Sequence, residues 1–317
     1  MFESFLTAVN AVIPFLCYLA LGYGTAAAGV VDKQFLDRLT KLVFTIMFPF
    51  MTFNSVYSAT PDNLPSTTLL VFCAAAILIV EGILLLIVPR LVKENPRRGV
   101  IIQAIFRSNF VLFGIPLTTT IYGSEKAAVA GMLIMVVITI YNITSVLILE
   151  MFNGSSQKIE FKSLLIKLMK NPMLQGCFFG IVFFALGIHL PKSIETPIKA
   201  FANMSSPLAL FALGGTLQFN AIGKNLKYIV PTLSIKLLIL PLILVTIGYI
   251  LGLRGVELFL VLVVFGTPVA SGSYPMAKNM GGDGELAGQF VFISTVVSVL
   301  TIFVWIFSLA QMGLLAV

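Results

Sequence analysis

Ten apolar stretches run through this sequence, each long enough to cross about 30 Å of hydrocarbon at 1.5 Å of rise per helical residue. They fall at roughly 9–29, 38–58, 67–89, 99–121, 127–150, 171–190, 199–218, 228–252, 257–280 and 286–310. In lipid every backbone group must bond within its own segment or a closed barrel, so stretches of this length are helices. Composition leaves little for any other architecture, because 58% of the 317 residues are hydrophobic and only 10% are charged. Soluble domains carry about 25% charged residues. The expected fold class is therefore an all-α, multi-pass integral membrane protein whose main partner is membrane lipid.

Loop charges set the expected orientation. The first, third, fifth, seventh and ninth loops hold fourteen of the 20 lysines and arginines, from Lys33 to Lys278. The even loops hold only Lys126, Lys192, Lys199 and Arg254. By the positive-inside rule both termini lie outside a bacterial-type plasma (inner) membrane. The net charge of +7 comes from these scattered loop residues. They form no continuous basic stripe, which excludes nucleic acid as a partner. Cys17, Cys73 and Cys177 each stand inside an apolar run with no histidine at ligand spacing, so neither a disulfide framework nor a metal is expected. No cofactor is expected either. The opening MFESFLTAVN has Glu3 and no basic residue before the first apolar run, so the first helix is expected to be retained.

Five is an odd number, so a second set of five spans repeating the first must lie inverted in the membrane. The expected organisation is a first repeat at 1–151, a cytoplasmic linker at 152–170 and a second repeat at 171–317. Lys41 stands eight residues before Pro49 in span 2, and Lys199 eight before Pro207 in span 7. Spans 4 and 9 share the more important feature: Asn109, Gly114 and Pro116 in one, and Gly266, Pro268 and Pro275 in the other, interrupt a helix near its middle. Broken helices in matched positions of two halves point to a transporter's substrate site.

The residues of span 4, Ser108-Asn109-Phe110-Val111-Leu112-Phe113-Gly114-Ile115-Pro116-Leu117 followed by Tyr122-Gly123, resemble the fourth-helix motif of the auxin efflux carrier family. That family includes plant PIN proteins and bacterial organic-acid carriers. Thr267-Pro268 and Tyr274-Pro275-Met276-Ala277-Lys278 in span 9 are similar to its ninth-helix crossover. The resemblance covers nearly the whole chain and implies helices 4 and 9 that unwind and cross at mid-membrane. It also implies a scaffold and a transport domain that move relative to each other, an elevator mechanism. Plant members carry Pro where this chain has Ser108, and the long cytoplasmic loop of many of them is missing here.

An unwound membrane helix offers amide N–H groups and a positive half-helix end, which suit a carboxylate. The expected substrate-binding residues are Asn109, Ser108, Gly114, Pro116, Thr267, Pro268, Val269, Ser271 and Ser273. Three ionisable residues lie inside spans, Glu81, Arg107 and Lys236, each nine residues from a cytoplasmic-end basic residue. Charges at such depth are functional candidates. Glu81 and Arg107 are expected to pair, which leaves Lys236 to attract an anion or carry a proton. All four aspartates, Asp32, Asp37, Asp62 and Asp283, fall in loops, so the buried aspartate pair of cation antiporters is absent. Gly176 and Gly180 form a GxxxG expected to pack span 6 against a neighbour or a second subunit of a homodimer. Asn142-Ile143-Thr144 reads as a glycosylation signal inside a span and carries no weight. His189 is expected at the interface.

The expected function is a secondary carrier of small organic anions, carboxylates such as malonate, malate or auxin-like acids, working by alternating access. An anion channel would need filter loops or rings of like charge. A membrane enzyme would need an acid–base or metal set, and one histidine with no intramembrane aspartate does not supply it. Gly281-Gly282-Asp283 resembles part of an intramembrane protease motif, but Met280 replaces its first glycine.

Overall fold

A computed structural model describes residues 2–58, 64–153, 166, 169, 170, 172–216 and 225–315. Most of the expected linker 152–170, together with Asp62 and Lys224, lies outside the described residues. The described residues form helices and no strand. In chain order they are α1 (Phe2–Ala27), α2 (Lys33–Leu42), α3 (Phe48–Tyr57), α4 (Thr67–Leu91), α5 (Asn95–Phe106), α6 (Phe110–Asn153) and α7 (Pro172–Ala185). There follow α8 (Lys192–Gly215), α9 (Leu226–Ser234), α10 (Leu240–Ile250), α11 (Gly255–Gly266), α12 (Ser273–Asn279) and α13 (Gly284–Gln311).

Among the described residues five helical stretches are long and apolar enough to cross a membrane: Phe5–Ala27, Thr67–Leu91, Phe110–Phe152, Leu226–Ile250 and Gly284–Gln311. The third has 43 residues, about 65 Å if straight and so twice the hydrocarbon thickness. It is kinked at Gly123, whose φ of 83° and ψ of 169° suit a residue without a Cβ. Two stretches are assembled from pieces. Helices α2 and α3 join through a π-helical turn at Val43–Met47, and α9 and α10 through one at Ile235–Ile239. Each π turn stands just before a proline, Pro49 or Pro241, whose ring nitrogen cannot bond the preceding turn. On the turn that Pro241 disturbs, the Trp305 indole donates to the Leu237 carbonyl at 2.9 Å.

Two boundaries differ from the sequence expectation for local reasons. Asp32 accepts the amide N–H of Phe35 at 2.7 Å and caps α2, so Lys33, Asp37 and Arg38 lie in an amphipathic helix and not in a loop. Helix α8 starts at Lys192, seven residues ahead of the expected span, so Lys199 is helical as well.

The helices associate in two groups. In the first, α1 lies along α8 and α3 along α7, with α2 and α3 also against α8. A Cβ on Gly22 of α1 would meet the Phe211 carbonyl oxygen at 1.9 Å, and one on Gly214 of α8 the Leu19 oxygen at 2.1 Å. Likewise a Cβ on Gly176 would come within 2.2 Å of the Pro49 oxygen. The GxxxG thus seats α7 on α3 of the same chain, backbone against backbone. The second group holds α4, α5, α6 and α9 to α13. Polar ties at both ends hold it together. At one end the Ser66 amide and hydroxyl donate to Glu257 at 2.7 and 3.0 Å. At the other, Arg97 donates to Asp283 at 3.0 Å and Tyr228 to Glu94 at 3.3 Å. The own backbone N–H of Glu94, with Arg97 and Tyr228 adding to it, holds that exposed carboxyl below the usual carboxylate range. The groups meet where α1 faces α13 and α3 faces α6.

Candidate functional site

The chain breaks twice within the second group, and the breaks touch. Helix α5 ends at Phe106, Arg107 is extended at φ −86° and ψ 108°, and α6 starts at Phe110. Helix α11 ends at Gly266, with Thr267 extended at φ −77° and ψ 161°. Ser108 and Val269 form an antiparallel bridge. Its two hydrogen bonds run from the Asn109 amide to the Pro268 carbonyl at 2.7 Å and from the Ala270 amide to the Arg107 carbonyl at 3.2 Å. The Val269 amide donates to Ser294 Oγ at 3.0 Å. Buried backbone groups must be paired, and here each broken helix supplies partners for the other.

That pairing corrects one expectation. The amides of Asn109, Val269 and Ala270 are not free to hold a carboxylate, because protein oxygens already occupy them. The donors left over are side chains. Asn109 is 7% exposed, and its Nδ2 has no partner. Ser273 is also buried, with an unpartnered Oγ. Lys236 is 0% exposed and donates from the second π turn to Ser108 Oγ. Among the described residues no carboxylate lies within ion-pair distance of Lys236. An ammonium buried without a countercharge is costly, and the crossing is therefore the position at which an anion would gain most.

The remaining expected residues divide. Thr267 spends its hydroxyl on the Val263 carbonyl at 2.7 Å, and Tyr141 donates to the Val264 carbonyl, which Pro268 cannot bond, at 3.1 Å. Both cap the broken end of α11. Gly114 lies one turn beyond Phe110, where a Cβ would sit 2.9 Å from the ring. Ser271 is half-buried beside the bridge. Pro116 lies elsewhere, on the wall of a cavity.

Glu81 and Arg107 do not pair. Glu81 accepts from the Thr144 hydroxyl at 2.6 Å, whereas Arg107 donates to Asn142 Oδ1 at 3.0 Å and to Met276 sulfur at 2.7 Å. Both charges thus bind α6 through two residues that the sequence presented only as a stray glycosylation signal. A neutral side chain that holds a buried charge leaves no mark in sequence beyond being polar inside an apolar run.

A cavity of about 550 Å³ opens between the first group and α6. Its walls come from α1, α3, α8 and the stretch of α6 from Ile115 to Ala127, and it does not reach Asn109. No sequence motif announced it, since four separated helices build it.

A family model described as membrane transport protein matches residues 7–306. An uncharacterized transporter from Methanothermobacter thermautotrophicus is 23% identical over 303 residues, which span 95% of this chain and 98% of that protein. Another from Methanocaldococcus jannaschii is 20% identical over 309 residues, 94% of this chain and 97% of that one.

Proposed function

Because this chain belongs to the membrane transport protein family, auxin efflux carrier-like, and is a multi-pass transporter and not an enzyme, we propose that it is a secondary carrier of small organic anions. One observation carries this reading: Lys236, fully buried and without a carboxylate partner among the described residues, reaches Ser108 at the point where two broken helices cross. The carboxylate of a substrate would supply the missing charge there and take the free Nδ2 of Asn109. Fixed amides are bonded already, so side chains do the recognition. Malonate, malate and auxin-like acids fit that chemistry.

Alternating access follows from the two helix groups. The second is tied at both ends, by Ser66 with Glu257 and by Arg97 with Asp283, which favours its moving as one body. The first holds itself together through glycine contacts and serves as the scaffold, in an elevator-type motion. A ten-span inverted repeat accounts for the pairing of α1 with α8 and of α7 with α3, which an exchange of the two halves maps onto each other. It accounts equally for the two breaks. With both termini outside a plasma membrane, the cavity beside Glu125 opens outward.

Counterflow of labelled mono- and dicarboxylates in proteoliposomes tests the reading. Saturable exchange is expected in the wild type, with at least about a tenfold loss in Asn109→Ala, the cost of one charge-assisted hydrogen bond. Undiminished exchange in that variant, with folded protein retained, would overturn the site. Non-saturable flux would favour a channel.

A further inference from the structure

Glu81 of α4 is the only acidic side chain buried among the described residues, and no cation there lies within ion-pair distance of it. Its contact with α6 can be read by counting protons. Thr144 Oγ1 stands 2.6 Å from Glu81 Oε1 and 2.9 Å from the Ile140 carbonyl oxygen. A hydroxyl has one proton to give. With Glu81 ionised, Thr144 must leave one of these two acceptors without it. With Glu81 protonated, the carboxyl O–H donates to Thr144 Oγ1 and Thr144 donates to Ile140, so both contacts are hydrogen bonds at once. A neutral acid is also the cheaper form to bury without a countercharge.

Helix α4 packs against α5, α6 and α11, and none of their charges touches Glu81. From α6, Tyr141 stands near it with its hydroxyl given to Val264, and Glu150 lies six residues beyond Thr144. At the two ends of α5, Arg98 donates to carbonyls of Pro89 and Val92, Arg97 to Asp283, and Arg107 to Asn142 and Met276. Glu257 of α11 holds Ser66, about 22 Å along α4 from Glu81. On α4 itself Cys73 precedes Glu81 by two turns and Arg90 follows it by nine residues.

A single turn of α6 joins Glu81 to the crossing. Tyr141 bonds the broken end of α11, Asn142 holds Arg107 at the broken end of α5, and Thr144 meets Glu81. Ionising Glu81 would turn the Thr144 hydroxyl and add a negative charge that competes with Asn142 for Arg107. Proton occupancy and the shape of the crossing are thereby linked.

We propose that Glu81 is a proton-binding site and that the carrier moves one proton with each organic anion. The proton passes from water on the side of uptake to the Glu81 carboxylate, crosses with the anion, and returns to water on the other side. Lys236 and Arg107 stay charged throughout. Loaded, the moving body holds the substrate carboxylate and a neutral Glu81; empty, it holds an ionised Glu81. Its charge is then the same on both legs for a singly charged acid, whereas an anion without the proton would add a negative charge to one leg. This inference rests on the carrier reading and adds its coupling ion.

Labelled malonate and malate test it in proteoliposomes of the full chain, with a pH dye inside and the potential clamped at zero by potassium and valinomycin. An inward proton gradient of about tenfold is expected to accumulate the acid about tenfold, the equilibrium ratio for one proton per anion. The dye should report matching acidification, and protein-free vesicles should show neither. Glu81→Gln, which keeps a donor for Thr144 and releases no proton, should lose accumulation and acidification while counterflow, in which only the loaded form crosses, persists. Thr144→Val, which removes the acceptor of the proton, should place half-maximal uptake about 0.5–1 pH unit lower, and it keeps the site testable where Glu81→Gln fails to fold. Counterflow without accumulation in the wild type, accumulation that survives Glu81→Gln, or a pH profile unmoved by Thr144→Val would overturn the proton site and leave the carrier standing. Absence of saturable exchange with both acids would overturn the carrier reading and the proton site with it.

Discussion

The two helix groups keep their buried polar atoms in opposite ways. Among the described residues of α1 to α3, α7 and α8 the fully buried polar side chains are hydroxyls, Thr52, Ser205 and Ser206, and helices touch backbone to backbone at glycines. The group with the broken helices buries Glu81 and Lys236 as well as amides and hydroxyls from α5 to α13. A scaffold can be built from the absence of side chains. A site cannot, because an interrupted helix and an intramembrane charge both need partners brought from elsewhere in the chain.

Removing the charge should break this contrast most severely. Lys236→Met, similar in length and neutral, is expected to lower counterflow about 100-fold while folded yield is kept, in line with the loss of one partner of a buried charge pair. Exchange within about twofold of wild type would take the site away from the crossing. In the first group the sensitivity should be to volume. Gly176→Ala would press on Pro49 and Thr52, and a cost of about 1–3 kcal/mol is expected, read as a lower thermal midpoint in detergent. Gly82→Ala is the control, because a Cβ there meets nothing within 4 Å. Equal midpoints for the two variants would argue against close backbone contact. The smallest effect should come from Tyr141→Phe, which leaves the Val264 carbonyl without its donor. About 1 kcal/mol of stability should go, and an unchanged midpoint would mean that another donor replaces the hydroxyl.

Much of this was legible in advance. The breaks at Asn109 and Pro268 were visible because Gly and Pro inside an apolar run have few other uses. The depth of Lys236 could be counted from Lys227. The partner of Arg107 could not be found this way, since a charge chooses among all neighbours in space. Asn142 and Met276, brought close by the fold, outcompeted Glu81. Nor could the use of the bridge amides be foreseen, because whether an unwound N–H is free depends on what crosses it.

The sequence by itself determined that the chain is a multi-pass membrane protein, where its helices fail and which charges stand inside apolar runs, since these depend on residue type and on distance along one helix. Only the tertiary structure decided that the two failures meet as an antiparallel bridge, that Lys236 reaches Ser108, and that three prolines from three helices face one cavity. These arrangements bring together residues up to about 190 positions apart, and they follow from packing, which no local pattern encodes.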